Sequence, residues 1–132
     1  MTYVKPPAFT RRVVNPLVAR FQTGGVHTLT VSGRHTGRAC RVPVIPVEVD
    51  GVRYLVSPYG ESDWCKNLRS AAGKAQLSHR GRVESIQASE VPPEQRPAII
   101  AAYRKTARRE VDRYFTRLPD PEDHPVFRIA IG

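Results

Sequence analysis

The fold is decided by residues 30–44, whose sequence is TVSGRHTGRACRVPV. Residues 27–31 alternate between polar and apolar side chains, which is typical of a half-buried strand. Residues 42–47 are rich in valine and isoleucine and favour a second strand. Pro43 and Pro46 place that second strand at an edge or at a bulge. The stretch therefore predicts two strands joined by a basic, glycine-containing turn.

The turn between these strands has the composition of an anion-binding loop. Glycine lets the backbone bend sharply and lets a ligand approach its amides. The three arginines at positions 34, 38 and 41 offer paired donors that fit phosphate or carboxylate oxygens. Glycine, serine and threonine are also ordinary turn formers, so an exposed turn without a ligand is the alternative. The spacing matches neither a Walker loop nor a dinucleotide fingerprint.

The rest of the chain alternates short predicted strands with three predicted helices. Asp50-Gly51 is a strong hairpin signal, and Gly60 and Gly73 bound a short mid-chain helix. Six short strands, mostly in hairpins, with a helix across them predict a small antiparallel barrel. The predicted strands are Val26–Ser32, Cys40–Val49, Val52–Ser57, Ala75–His79, Arg82–Ser89 and Val126–Ile131, and the later helices are Trp64 to about Ala72 and one long helix from Pro93 to Leu118.

Residues 1–14 are predicted to form an extended arm. Asn15-Pro16 then predicts the start of a short N-terminal helix, with Asn15 as its N-cap. This helix is expected to close one end of the barrel. The alternative is a basic amphipathic arm that makes a peripheral contact with a membrane surface.

Positive charge is concentrated in the first third of the chain. The 132 residues carry a formal net charge of +9, and seven basic residues but no acidic one precede Glu48. This asymmetry predicts a polyanionic partner: a nucleic acid, an anionic membrane or a small ligand with phosphate and carboxylate groups. Nucleic acid is disfavoured because the tyrosines and phenylalanines are not interleaved with the basic cluster.

Other patterns narrow the class of protein. Cys40 and Cys65 form no C-x-x-C pair, so no disulfide framework is predicted, and the four histidines lack the spacing of metal ligands. No apolar run approaches the ~20 residues of a membrane span and no signal-peptide pattern opens the chain, so a cytoplasmic protein is expected. No nucleophile–base pair is evident, which favours an enzyme whose cofactor carries the reaction.

Two stretches together resemble the deazaflavin-dependent nitroreductase family of the flavin/deazaflavin oxidoreductase superfamily. Its members carry a G-R-x-[ST]-G-x-x-x-R-V-P-V segment, a D-G hairpin, an [ST]-x-x-G loop and a W-x-x-N-[LV] helix. These match Gly33–Val44, Asp50-Gly51, Ser57–Gly60 and Trp64–Leu68. The resemblance is looser at residues 124–129 (HPVFRI) and departs at His35, where lysine or arginine is commoner.

The resemblance implies a fold and a cofactor. The fold is a single domain over residues 1–132, mostly β with helices (α+β): a six-stranded antiparallel split β-barrel, similar to the FMN-binding one. The cofactor is coenzyme F420 (8-hydroxy-5-deazaflavin), a hydride carrier with a polyanionic tail. The resemblance assigns its phosphate and carboxylates to Arg34, His35, Thr36, Gly37 and Arg41. It assigns one edge of the ring to Pro43 and Val44 and the other edge to Ser57, Tyr59 and Gly60. It implies that Trp64, Asn67 and Leu68 pack or hydrogen-bond from the helix that follows.

The implied reaction is hydride transfer to a small electrophilic acceptor, which is a quinone, a nitroaromatic or an activated alkene. No catalytic residue is predicted, and Tyr3, Tyr59 and Tyr114 are all candidate proton donors. FMN is the alternative cofactor because related split barrels bind it. A monomer and a homodimer are both compatible with the sequence.

The charge distribution predicts that the cofactor's tail supplies most of the ionic attraction. Exposed charges are screened within ~8 Å at physiological ionic strength, whereas a packed ring binds mainly by burial. Raising the salt concentration should therefore weaken intact F420 much more than a truncated deazaflavin without phosphate and glutamates. Dissociation constants of both ligands at low and high salt measure this. Parallel salt dependences would assign the basic segment to another partner.

Overall fold

The computed structural model describes residues 25–107 and 109–132, so the arm and the helix predicted at Asn15-Pro16 lie outside it. Seven strands form one antiparallel sheet: β1 (His27–Ser32), β2 (Ala39–Val44), β3 (Val47–Val49), β4 (Val52–Val56), β5 (Lys74–His79), β6 (Arg82–Glu90) and β7 (Val126–Ile131). The described helices are α1 (Asp63–Ser70), α2 (Arg96–Ala107) and α3 (Arg109–Arg117), with short 3-10 turns at Pro93–Gln95 and Pro121–Asp123.

The order of the strands makes the sheet curl. It is β2-β1-β5-β6-β7-β4-β3, so the two edge strands, β2 and β3, are consecutive in the chain. Only Ile45 and Pro46 separate them. Three Cα–Cα steps span at most about 11 Å, which forces the two edges close together. Among the described residues β2 pairs only with β1 and β3 only with β4, so the barrel is split at this seam.

The expected split β-barrel with helices is confirmed, but the number of strands was wrong. The predicted strand Cys40–Val49 is two strands that lie at opposite edges of the sheet. Proline has no amide hydrogen to donate to a sheet ladder, and Pro46 lies where the pairing ends. The barrel therefore has seven strands rather than six.

Alternation along the strands divides the apolar side chains between two cores. Leu29, Leu55 and Phe127 point into the barrel, where α1 packs against them through Leu68 and its neighbours. Residues of opposite parity, such as Val56, face outward and are covered by α2 and α3. Successive residues of a strand therefore face the inside of the barrel and its helix-covered side in turn.

The long helix predicted from Pro93 to Leu118 is a pair of helices instead. Tyr103 and Phe115 have ring centroids 6.3 Å apart. A straight helix would separate the Cα atoms of these two residues by about 18 Å. The chain axis therefore bends between α2 and α3, and the apolar stripe read from the sequence packs partly against itself.

A polar cluster occupies the barrel end opposite the basic turn. Arg53 on β4 donates two hydrogen bonds, of 3.0 and 3.1 Å, to the Glu84 carboxylate on β6. Beside them the rings of His27 and His79 stack with centroids 4.3 Å apart. Since these four residues share the inward parity of their strands, charged groups rather than apolar ones close this end.

Stability should fall in acid because of this cluster. Burial lowers the pKa of His27 below its ordinary value. The unfolded chain then binds more protons than the folded one, so the free energy of unfolding is highest above the ordinary histidine pKa and declines as the pH falls through it. We expect His27→Gln to reduce this decline, measured by urea unfolding at about pH 8 and about pH 5.5, on either side of the ordinary value. His35→Gln, at an exposed position, is the control and should retain the decline in full.

Candidate functional site

A cavity of about 450 Å³ lies at the barrel end where β1 runs through the basic turn into β2. Its walls come from the two strands, the turn, the loop after β4 and helix α1. The lining residues are Val31, Gly33, Arg34, His35, Thr36, Cys40, Arg41, Val42, Tyr59, Asp63, Trp64 and Asn67.

Backbone hydrogen bonds close the turn between β1 and β2. The Gly33 amide donates to the Arg38 carbonyl at 2.8 Å, and the Gly37 amide donates to the Gly33 carbonyl at 2.9 Å. Gly37 has a φ of +75°, which favours glycine. A Cβ on Gly33 would lie 3.1 Å from the Cys40 sulfur, so a side chain would be crowded there. The two glycines therefore shape the turn from within.

Arg34 attaches this turn to helix α1. Its backbone amide and its Nη1 both donate to the Asn67 Oδ1, at 3.0 and 2.8 Å. Its Nη2 donates to the Asp63 carboxylate at 3.1 Å. Asn67 is only 6% exposed, so its side chain is a buried acceptor on the cavity wall. The turn and the helix thus form one continuous wall.

The other two cationic positions of the cavity are differently placed. Arg41 is exposed, and its side chain has no hydrogen bond or ion pair with any residue in the described part of the chain. His35 is also exposed, at the tip of the turn. Arg41 can therefore offer its whole guanidinium to an anion, whereas Arg34 offers only the donors that α1 leaves unused.

Two aromatic side chains complete the lining, Tyr59 from the loop after β4 and Trp64 from α1. Tyr59 is half-buried and packs edge-to-face on Tyr114 of α3, with ring centroids 4.6 Å apart. Burial raises the pKa of Tyr59 above its ordinary value, so the phenol keeps its proton. Trp64 is 6% exposed and packs against Phe127 of the barrel core, with ring centroids 5.8 Å apart. Trp64 is therefore both a core residue and a cavity wall.

A buried polar chain shapes the loop that carries Tyr59. The Ser57 hydroxyl donates to the Gly60 carbonyl at 2.6 Å and lies 3.1 Å from the Ser62 hydroxyl. Ser62 in turn lies 3.2 Å from the Cys65 sulfur. Burial raises the pKa of the Cys65 thiol to about 11, so this sulfur stays protonated and structural.

The structure brings seven of the thirteen predicted site residues to the cavity. They are Arg34, His35, Thr36, Arg41, Tyr59, Trp64 and Asn67. The other six do not line it, because they shape turns, point to the outside of the barrel or belong to the core. They are Gly37, Pro43, Val44, Ser57, Gly60 and Leu68.

Sequence analysis missed five lining residues: Val31, Gly33, Cys40, Val42 and Asp63. Strand alternation would have found two of them. In β2 the side chains of Cys40 and Val42 share the inward parity of Val44, and Pro43 has the opposite parity. The ring-lining role expected for Pro43 is therefore better placed at Val42.

The described residues show neither a metal-binding cluster nor a membrane-spanning helix. Within residues 25–107 and 109–132, no group of three or more histidine, cysteine or acidic side chains is arranged to hold a metal ion. Over the same ranges, no helix has the length and apolar character needed to cross a membrane.

Residues 5–119 match the family model described as F420H2-dependent quinone reductase. This match covers most of the chain and includes the basic turn, the cavity loop and α1. No curated protein sequence matches this chain.

Solved structures show the same fold at low identity. An F420-H2 dependent reductase (FDR-A) superposes with a TM-score of 0.59 at 21% identity, over 80% of this chain and 93% of that one. HutZ, the heme storage protein of Vibrio cholerae, superposes with a TM-score of 0.57 at 12% identity, over 89% of each chain. ChuZ of Campylobacter jejuni superposes with a TM-score of 0.61 at 12% identity, over 90% of this chain and 52% of that one. The fold is thus shared by an F420-H2 dependent reductase and a heme storage protein.

The two cavity arginines should differ in their effect on stability. Arg34→Ala removes both side-chain ties to α1 and should lower the free energy of unfolding by about 1–2 kcal/mol. Arg41→Ala should change it by less than about 0.5 kcal/mol, as is usual for an exposed side chain. Chemical denaturation measures both values.

A double-mutant cycle of Arg34→Ala with Asn67→Ala tests the contact directly. Coupling of about 1 kcal/mol is expected, because the guanidinium donates directly to the Asn67 side chain. Additive effects would show that the turn is held to α1 by something other than this contact.

Proposed function

The chain belongs to the F420H2-dependent quinone reductase family, and on that premise we propose that it passes a hydride from reduced coenzyme F420 to a quinone held in the cavity beside Tyr59 and Trp64. The observation that carries this proposal is the composition of the cavity, whose lining combines two arginines with the aromatic rings of Tyr59 and Trp64. Quinone is the acceptor class that the family's description names. Nitroaromatics and activated alkenes are the competing acceptors.

The residues of the cavity fit the cofactor. A volume of about 450 Å³ is within the range of small-molecule sites, which is roughly 300–1,000 Å³. The exposed guanidinium of Arg41 and the ring of His35 face the mouth, where a phosphate and glutamate carboxylates would lie. Val42 and Trp64 offer an apolar surface further in, which suits a planar ring.

Arg41 would hold the anionic part of the cofactor. Its guanidinium can donate two parallel hydrogen bonds to a phosphate or a carboxylate. Thr36 is less available, because its hydroxyl already accepts a hydrogen bond from the Arg38 amide at 3.2 Å. Arg34 would act mainly by keeping the turn against α1, with its remaining donors directed at the same anion.

The two aromatic residues, Tyr59 and Trp64, would orient the reacting groups and exclude water. When bound, the reduced deazaflavin supplies the hydride. Tyr59 holds a proton on its phenol oxygen, since burial raises its pKa. That hydroxyl can donate a hydrogen bond to a carbonyl oxygen of the acceptor, which gains negative charge as the hydride arrives. Packing against Tyr114 fixes the Tyr59 ring from behind.

Binding measurements test the cofactor assignment. F420 should bind more tightly than FMN, because several cationic groups line the cavity and FMN offers a single phosphate. Arg41→Ala should weaken F420 binding by about 1.5–3 kcal/mol, the usual range for hydrogen bonds to charged groups. Arg82→Ala, an exposed arginine at the far end of the barrel, is the matched control and should bind normally. Equal or tighter binding of FMN would contradict the assignment.

Turnover measurements test the acceptor. With F420H2 saturating, kcat/KM should be higher for a quinone than for a nitroaromatic of similar size. Tyr59→Phe should lower kcat about tenfold or more, since the lost hydroxyl stabilises charge only in the transition state. A higher kcat/KM for the nitroaromatic would reassign the acceptor and leave the cofactor assignment standing.

A further inference from the structure

His124 is a fully buried histidine whose two ring nitrogens both face backbone carbonyl oxygens. It lies between the Pro121–Asp123 turn and β7, with no exposed surface. Its Nδ1 is 2.9 Å from the Ser57 oxygen, and its Nε2 is 2.5 Å from the Leu118 oxygen. The ring stacks on Phe115 of α3 with centroids 4.1 Å apart. The cavity function described above leaves this residue without a role.

The two partners determine which form of the ring satisfies both contacts. A carbonyl oxygen can only accept a hydrogen bond, so each ring nitrogen must carry a hydrogen to bond it. Neutral imidazole has one N–H and imidazolium has two. Loss of one proton therefore leaves one nitrogen lone pair facing a carbonyl oxygen. One of the two hydrogen bonds is then lost, and the loss is costly because the ring is buried.

These two carbonyls belong to the two supports of Tyr59. Ser57 begins the loop that carries Tyr59, and its amide also donates to the Pro125 carbonyl at 3.0 Å. Leu118 immediately follows α3, which carries Tyr114 against the Tyr59 ring. The His124 ring thus ties the cavity loop to the end of the helix behind it.

Charged residues lie on several of the elements next to His124. From α2, the buried Arg96 donates to the His124 carbonyl at 3.4 Å and to the Glu122 carbonyl at 3.1 Å. Its charge opposes a second cation, but the Glu90 carboxylate of β6 pairs with it at 3.3 Å. On the turn, the acidic residues Glu122 and Asp123 directly precede His124. The carbonyl end of α3, at Leu118, favours a positive charge.

We propose that His124 is a positioning residue that sets the orientation of Tyr59 in the cavity, and that it does so fully only when both of its ring nitrogens are protonated. The cavity loop should then be held at both contacts in acid and loosen as the pH rises. The proposal deepens the proposed function, because it assigns a pH-dependent support to Tyr59. The first experiment uses protein without cofactor, so it can succeed or fail independently of the F420 assignment.

The first test is an NMR titration of the full chain from about pH 5 to about pH 9, a range that spans ordinary histidine titration. The His124 ring nitrogens and the amides of Tyr59 and Gly60 are followed together. We expect both ring nitrogens to carry hydrogens in acid, and the two amides to shift with the same midpoint as the ring. A ring with a single N–H throughout, or amides that do not follow it, would overturn the proposal.

The second test compares His124→Gln with His79→Gln, a control in which only one ring nitrogen of the native histidine bonds a carbonyl. The partners of the His124 ring are the Ser57 and Leu118 carbonyls, on opposite sides of the ring. Because glutamine carries its N–H groups on a single nitrogen, it can donate to only one of them. At saturating F420H2, we expect His124→Gln to lower kcat/KM for the quinone about fivefold to tenfold in acid, as for one lost hydrogen bond. The difference from wild type should vanish as the pH rises, while His79→Gln should follow wild type.

Only differences between the pH profiles of the three proteins count. Parallel profiles for His124→Gln and wild type would show that His124 merely fills space. If His124→Gln does not fold, as judged by circular dichroism, the titration of the wild-type chain decides alone.

Discussion

The whole barrel depends on one short connection, the two residues Ile45 and Pro46 between β2 and β3. These strands are the two edges of a seven-stranded sheet, yet the chain between them can span only about 11 Å. A flat sheet of seven strands would hold its edges about 28 Å apart, at roughly 4.7 Å per strand. The sheet must therefore curl until its edges meet, and Pro46 removes a donor at the seam.

Curling gives the barrel two ends with different chemistry. At one end the β1–β2 turn and the aromatic residues Tyr59 and Trp64 enclose the cavity. At the other end the Arg53–Glu84 pair and two stacked histidines close the interior. The apolar layer between these ends, centred on Leu29 and its neighbours, keeps the two polar regions apart. Among the described residues, one end of the barrel thus carries a cavity and the other is occupied by polar side chains.

Buried polar contacts decide the shape of the cavity more than apolar packing does. Asn67 accepts two hydrogen bonds from Arg34, and so joins the basic turn to α1. Ser57 holds Gly60, and the buried Arg96 holds the segment that carries His124. Each of these groups would be costly to leave unsatisfied in a dry environment, so the loops have little freedom to take other conformations.

The sequence by itself determined the class of fold, the basic turn, the Asp50-Gly51 hairpin, the extent of β7 and the family resemblance, because these depend on local periodicity and on residues close together in the chain. It also identified seven residues that line the cavity. Only the tertiary structure decided that Cys40–Val49 divides between two edges, that the chain bends between α2 and α3, and that Arg34 is bound to Asn67. The physical reason is distance along the chain. Those outcomes rest on contacts between residues 12 to more than 30 positions apart, or on the closure of the whole sheet, which no local pattern encodes.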